Sequence, residues 1–387
     1  MINRDFSGVC LSSDLSTFDP YDIWTTSVGY RVKDLYNRKK SLGLFPAGFL
    51  TIIDLIFNNH RRAFYKKSEY PIVRAQAAMT LLNIYRRTED TEYLYWAKIH
   101  LDWLVSNYSH GYSGFCWGLN MKWASNNGAY DENTPFITAT PYALEALVSY
   151  QDMVKDDRYL GVITSIFDFI NADLHRFIDS PDTLCLSYSP VKEFRPVMNA
   201  NSYAMYALSL LVSFLPDKSQ SINGDILRLY HFISSNQCQD GSWWYYSDKE
   251  SNNFIDCFHS CFVLKNLIKT SKLVQLPANC NSVVSAGYSY LIDNFIDSDF
   301  GLFKRFSRTN KIGLVKFDLY DNAEMLNLSY LYGDHTLHDS LEQKIKQHFV
   351  KGENIYSLID IFNVTRNPNM LRWAVMPYVF ALSNKSS

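Results

Sequence analysis

The sequence predicts an all-α protein, an (α/α)6 toroid of six helical hairpins with an inner and an outer ring. Three observations predict it. Segments rich in Ala, Ser, Thr and Asn begin near Pro71, Pro135, Pro196, Phe254, Phe317 and Leu371. Their spacing, roughly 55–65 residues, exceeds that of the common helical solenoids. An amphipathic segment and a Gly/aromatic turn separate each from the next. Helices that are small or apolar on every face are buried, whereas amphipathic ones face water. Six such pairs close into a ring, buried helices inside.

Taken in order, Tyr21 to Lys40 reads as a helix ended by Gly43 and Pro46, and a second apolar segment runs from Gly48 to Asn59. Residues 1–64 are thus N-terminal helices that pack on or open the toroid, and residues 65–387 form one continuous toroid domain. Pro71 to Arg87 starts with proline in the first turn, where its missing N–H does no harm. Glu92 to Asn107 is amphipathic. His110 to Gly118 is a Gly/aromatic hairpin. Pro135 to Tyr150 and Pro196 to Phe214 are small-residue helices, with the longer amphipathic stretch Asp157 to Phe177 between them. Asn223 to Asn236 leads into Gln239 to Leu267, which combines an Asp-Gly turn, four consecutive aromatics (Trp243 to Tyr246) and a helix opening on Asp256 and His259. Glycine supplies that turn because it takes positive φ without steric cost. Ser282 to Phe295, Phe317 to Tyr332 and Leu371 to Ser383 complete the series.

Composition narrows the function classes. Of 387 residues, 47% are hydrophobic, enough for a large core, and 16% are aromatic. A net charge of −2 gives no overall electrostatic case for nucleic acid or an anionic membrane surface. No apolar h-region stands at the start, and no apolar run approaches the roughly 20 residues that cross a bilayer. Seven cysteines, an odd number without framework spacing, suit a reducing compartment. The expectation is a cytoplasmic protein. No phosphate loop, dinucleotide fingerprint, Ser elbow or HExxH motif is present. No cofactor or metal is expected.

In such a ring, polar residues near the starts of the inner helices converge on one cavity. The candidates are Arg74, Thr140, Tyr142, Asn199, Asn201, Tyr203, Asp256, His259, Asp318, Tyr320, Asp321, Arg372 and Trp373, with Trp117, Asn120, Tyr188, Arg195, Trp243 and Trp244 from the turns. Asp256 and His259, three apart, share one helix face. Buried charge is costly unless used or paired, whereas Asn and Ser near helix starts often act as caps. Aromatic faces with amides and carboxylates make a carbohydrate site.

The segments NTPFITATPYALEAL, VMNANSYAMYAL, QDGSWWYY with FIDCFHSCFVLKNL, FDLYDNAEMLNL and RWAVMPYVFALS resemble a family encoded in bacterial exopolysaccharide and O-antigen clusters. The toroid is more distantly similar to glucuronyl C5-epimerases, unsaturated glucuronyl hydrolases and polysaccharide lyases. This implies tailoring of a surface glycan, with an oligosaccharide or lipid-linked glycan as partner and an assembly complex as company. Proton abstraction at a uronic acid needs a base (His259 or Tyr203), a proton donor (Tyr142, Tyr188 or Tyr320) and a cation (Arg372, Arg195 or Arg74). Hydrolysis would instead pair Asp256 with Asp321. QDGSWW also resembles squalene-cyclase repeats, and FHSCFVLKNL a prenyltransferase helix, without the accompanying acid or Asp-x-Cys motifs. A lanthionine-cyclase-like zinc site would draw on Cys116, Cys257 and His259. A glycan-holding scaffold would use the same aromatics.

Overall fold

The computed structural model describes residues 7–125, 127–248, 253–309 and 313–385, so residues 249–252 of the central stretch lie outside it. Two N-terminal helices, α1 (Ser27–Arg38) and α2 (Lys40–Ile52), precede the ring. Five inner–outer pairs follow. They are α3 (Pro71–Thr88) with α4 (Thr91–Ser106), α5 (Thr140–Val154) with α6 (Leu160–Asp168), and α7 (Met198–Leu211) with α8 (Ser219–Ser235). Then come α9 (Cys257–Leu273) with α10 (Cys280–Phe295) and α11 (Leu319–Tyr332) with α12 (His335–Phe349). The sixth inner helix is α13 (Met376–Ser383), which packs between α11 and α3 and closes the ring. No outer helix follows it among the described residues. The fold is the (α/α)6 toroid.

The two rings differ as their sequences require. All fourteen residues of α7, MNANSYAMYALSLL, are buried, because small side chains let α5 and α9 approach on either flank. Its partner α8 buries Ile222, Ile226, Leu229, Tyr230 and Ile233, a stripe at helical spacing. Each such side chain contributes about 1.5–3 kcal/mol when fully buried.

One device recurs where inner helices meet the preceding hairpins. A polar side chain in the first turn pins the hairpin backbone. Thr140 Oγ1 accepts from the Trp117 N–H. Asn201 accepts from the Leu186 N–H and donates to Val197 and Leu186 carbonyls. Asn322 does the same for Phe303 and Asp318. These bonds satisfy backbone groups that would otherwise be buried without partners.

Four inner helices start later than their sequence suggests. Instead of Pro135, Phe254, Phe317 and Leu371, they open at Thr140, Cys257, Leu319 and Met376, and a fifth, expected from Pro196, opens at Met198. Ile255–Asp256 and Val315–Asp318 are strands, and Leu371–Val375 is an irregular turn with Ala374 at φ 127°. Extended backbone therefore carries the residues just ahead of each helix into the ring's centre. The sequence reading also missed an antiparallel sheet, in which Asn354–Asp360 pairs with Val350–Lys351, Val315–Asp318 and Thr365–Pro368. The helix expected over Asp157–Phe177 ends in a π-turn at Asp173, and Arg176–Asp179 is a strand.

The N-terminal expectation needs a second correction. The helix break falls at Lys39, and Pro46 lies inside α2, which continues as a π-turn over Ile53–Phe57. Lys40–Phe57 is thus one apolar helix of 18 residues with mean hydropathy 1.5, and 17% of it is buried.

Candidate functional site

A cavity of about 260 Å³ opens at the N-terminal ends of the inner helices, and all six inner segments line it. Ile72 comes from α3, Tyr142 from α5, Asn199 and Tyr203 from α7, His259 and Phe262 from α9, Tyr320 from α11, and Arg372 and Trp373 from the turn before α13. At ~30 Å³ per water that is room for ~9 waters, the scale of one sugar ring. Aromatic rings make up most of the wall. Tyr320 stacks on Trp373 with centroids 4.5 Å apart, and Tyr21 meets Trp373 edge-on at 5.0 Å.

His259 and Asp256 form a hydrogen-bonded ionisable pair in this wall. His259 Nδ1 lies 2.7 Å from Asp256 Oδ2 and 2.9 Å from Oδ1. Asp256 is almost fully buried, while the His259 side chain keeps 21% of its exposure. The carboxylate fixes the Nδ1–H tautomer, which leaves Nε2 with its lone pair. Nε2 has no protein partner among the described residues. Tyr245 and Phe258 hold the imidazole from either side, with centroids 4.5 and 3.9 Å away.

Arg305 supplies a cation that the sequence reading overlooked. It precedes the strand Phe306–Arg308, which pairs with Ile255–Asp256 and so sets the arginine beside the dyad. Its guanidinium donates 3.1 Å to the Tyr21 hydroxyl and stands 3.5 Å from Asp318, while Nε has no partner. Burial opposes its charge, yet Tyr21, Asp318 and Asp321 outweigh this and raise its pKa. It is a permanent cation whose side chain keeps 22% of its exposure, although the unpaired Nε is itself buried. A cluster of basic residues inside an aromatic hairpin, LFKRFSR, was the available signal.

Arg372 differs. It lines the cavity, but Asp19 takes its Nε at 2.6 Å and an Nη at 2.7 Å. The remaining cation candidates sit elsewhere. Arg74 is buried against Glu69, His100 and the Ser13 carbonyl, and Arg195 pairs with Asp248. Neither lines the cavity.

Tyrosines line the rest of the cavity. Tyr142 and Tyr203 join hydroxyls at 2.7 Å, and burial pushes both phenols well above their ordinary pKa. Burial does the same to Tyr320 and Tyr245, and holds Tyr188 at about 12. Neutral phenols donate protons. Tyr203, which the sequence also offers as a base, stands in the cavity wall as a neutral phenol bonded to Tyr142.

Other expected residues belong to the frame. Trp117 is buried with its indole N–H on the Leu104 carbonyl, and Trp243 likewise donates to Ile233. Thr140 and Asn201 are backbone staples. Asn120, in the left-handed region at φ 50°, reaches the Glu69 carbonyl. Trp244 borders a small adjoining cleft and packs against Arg308. Asp318 lies under the floor, where it accepts from Trp373 Nε1 at 2.9 Å and from the Tyr320 N–H. Asp321 is sealed beside it. One oxygen takes the Phe258 N–H, the other has no partner, and burial and Asp318 hold its carboxyl well above the usual range. It does not face the cavity, so it is not a second carboxylate for hydrolysis there.

The residues do not fit a zinc site. Cys257 points to the Asp321 carbonyl, Cys116 to the Ser109 carbonyl, and burial raises both thiols. A thiol held protonated is a poor zinc ligand.

No family profile matches the chain, and no curated relative matches it in sequence. Solved structures do resemble it. A cellobiose 2-epimerase from Spirochaeta thermophila superposes with TM-score 0.61 at 13% identity, over 81% of this chain and 84% of that one. The GH76 α-mannanase of Bacteroides thetaiotaomicron gives 0.57 at 12%, over 95% and 97%. A polysaccharide lyase gives 0.56 at 10%, over 86% and 94%. The likeness is one of fold.

Proposed function

We propose that this chain is a glycan-modifying enzyme of bacterial surface-polysaccharide synthesis that removes the proton α to the carboxylate of a uronic-acid unit. The observation that carries the reading is the Asp256–His259 dyad, facing the same aromatic cavity as Arg305. A base, a partly exposed cation and neutral phenols are the parts that α-proton abstraction needs. That sugar epimerases and a lyase share the fold supports it.

His259 Nε2 takes the C5 proton, and Asp256 stabilises the imidazolium that forms. The electron pair moves into the carboxylate, whose growing charge Arg305 receives. Reprotonation by a phenol on the opposite face, from the Tyr142–Tyr203 pair, inverts C5. Expulsion of the C4 oxygen instead gives an unsaturated product. The aromatic wall excludes water and stacks on the sugar's C–H face.

Deuterium exchange tests this. The protein is incubated in D₂O with oligosaccharides that contain uronic acid, beside His259→Ala and Asp256→Asn. Deuterium at C5, lost about 10²–10⁴-fold with His259→Ala, is the expected result. New reducing ends without exchange would mean hydrolysis, and saturable binding with neither would mean a glycan-holding scaffold.

A further inference from the structure

The N-terminal hairpin presents an anomaly that the cavity does not explain. Along α2 and its π-turn, Leu42, Phe45, Phe49, Ile52 and Ile56 recur at helical spacing, and all are exposed. Phe45 keeps 83% of its surface in water. An apolar stripe of this kind normally faces a core. Phe57 and Phe64 extend the patch, and contiguous exposed apolar surface marks an interaction site.

The presentation is built and held. Arg62 is buried between Asp22 and Asp54 and donates to the Asp19 carbonyl. Tyr65 donates to Asp54, and the Asn58 side chain clamps both backbone groups of Ala63. This base holds Phe64 in the left-handed region at φ 72°, with its ring 99% exposed. An L-residue adopts that conformation at a cost, here with an apolar ring thrust outward.

Charge identifies the occupant. Residues 27–67 hold nine Lys and Arg against two Asp, a net +7, which leaves −9 for the rest of a chain whose total is −2. Arg31, Arg38, Lys39 and Lys40 are exposed at one end of the stripe, and Arg61, Lys66 and Lys67 at the other. A second copy is disfavoured, since a two-fold interface would set two such cationic hairpins against each other. An apolar stripe with basic flanks matches an anionic lipid surface.

We infer that the α1–α2 hairpin docks flat on an anionic membrane leaflet, with Phe45, Phe49, Phe57 and Phe64 inserted and the basic flanks on lipid headgroups. It lies flat because both ends are tied to the protein side. One end turns into α1, which packs along α2, and the other is held by Arg62 and by Asn59 on Asn367. The cavity is close by: α1 packs on Trp123, with Lys33 over its ring, and Trp123 and Tyr21 are among the residues that line it. The cavity is thereby set beside the bilayer, where a lipid-linked glycan resides. Docking stands independently of the chemistry at His259.

Vesicle flotation of the full chain tests it. Phosphatidylcholine vesicles with phosphatidylglycerol are expected to carry the protein, pure phosphatidylcholine much less, and added salt to weaken binding to the anionic vesicles. Phe45→Ser with Phe49→Ser and Phe57→Ser is expected to weaken vesicle binding by about 1,000-fold, since each inserted ring contributes about tenfold or more. Lys39→Glu with Lys40→Glu is expected to cost about fivefold per charge removed. These side chains are exposed, so thermal melts and C5 exchange on soluble substrate remain unchanged. Absence of flotation, or flotation indifferent to the Phe substitutions, overturns the inference. So does a dimer in sedimentation that those substitutions dissolve without vesicles.

Discussion

Arg305 and Arg372 face one cavity, yet their surroundings assign them opposite work. Arg372 is closed off by a bidentate Asp19, so its donors are spent within the protein. Arg305 stands at 3.5 Å from Asp318, which already has Trp373 and Tyr320 as donors, and its Nε is unpaired. The first arginine ties Asp19, near the N-terminus, to the last inner segment, residues 353 apart in sequence. The second lines the cavity with about a fifth of its side chain exposed, and its only carboxylate contact is the long one to Asp318. Whether a buried cation holds the fold or serves a ligand is decided by how completely its donors are used.

The comparison breaks first at Arg372. Arg372→Ala leaves Asp19 buried without its partner, which costs about 3–5 kcal/mol. Denaturant melts should show that loss, and equal destabilisation by Arg305→Gln would erase the distinction. Arg305→Gln is expected to lower turnover by about 10²–10³ with little change in melting, as for loss of a charge-stabilising donor. An unchanged kcat would move the cation's role elsewhere.

Glu193 offers a graded test within the frame that positions Tyr188. Burial raises its carboxyl to about 7, against hydrogen bonds from the Tyr188 N–H, Ser189 and Tyr130. The folded state therefore prefers the protonated acid. That stability is fully present below the ordinary carboxylate pKa and is lost as pH rises through about 7. Glu193→Gln should flatten the melting-temperature slope between pH 5 and 8, an effect on the order of 2 kcal/mol. The smallest effect is expected at Gly287, whose added Cβ would stand 2.6 Å from the Trp243 ring and 2.8 Å from Leu264. Gly287→Ala should cost about 1–2 kcal/mol by overpacking, while activity per folded molecule stays constant. A drop in that activity would return Trp243 to the site.

The fold was legible because repetition exposed it. Helices such as α7 carry their burial in composition, and six of them at one spacing require a ring. Asp256 and His259 were legible for a similar local reason, since an i, i+3 pair of ionisable groups marks one face of a helix opening. Thr140, Asn201, Trp117 and Trp243 looked like site residues because a polar or aromatic side chain at a helix start has two uses. The backbone it pins, or the indole acceptor it finds, lies 10–23 residues away and is set by packing.

By itself, then, the sequence determined the toroid, the inner and outer helices and the dyad, all of which rest on contacts within a few residues or on a regular repeat. Tertiary structure alone decided which arginine is free, that Asp321 is sealed, and that the Ala374 turn delivers Trp373 to the cavity. It also decided that an apolar helix near the N-terminus faces outward. A net charge of −2 concealed a segment of +7. These depend on which groups meet across long separations, and on desolvation that composition does not register.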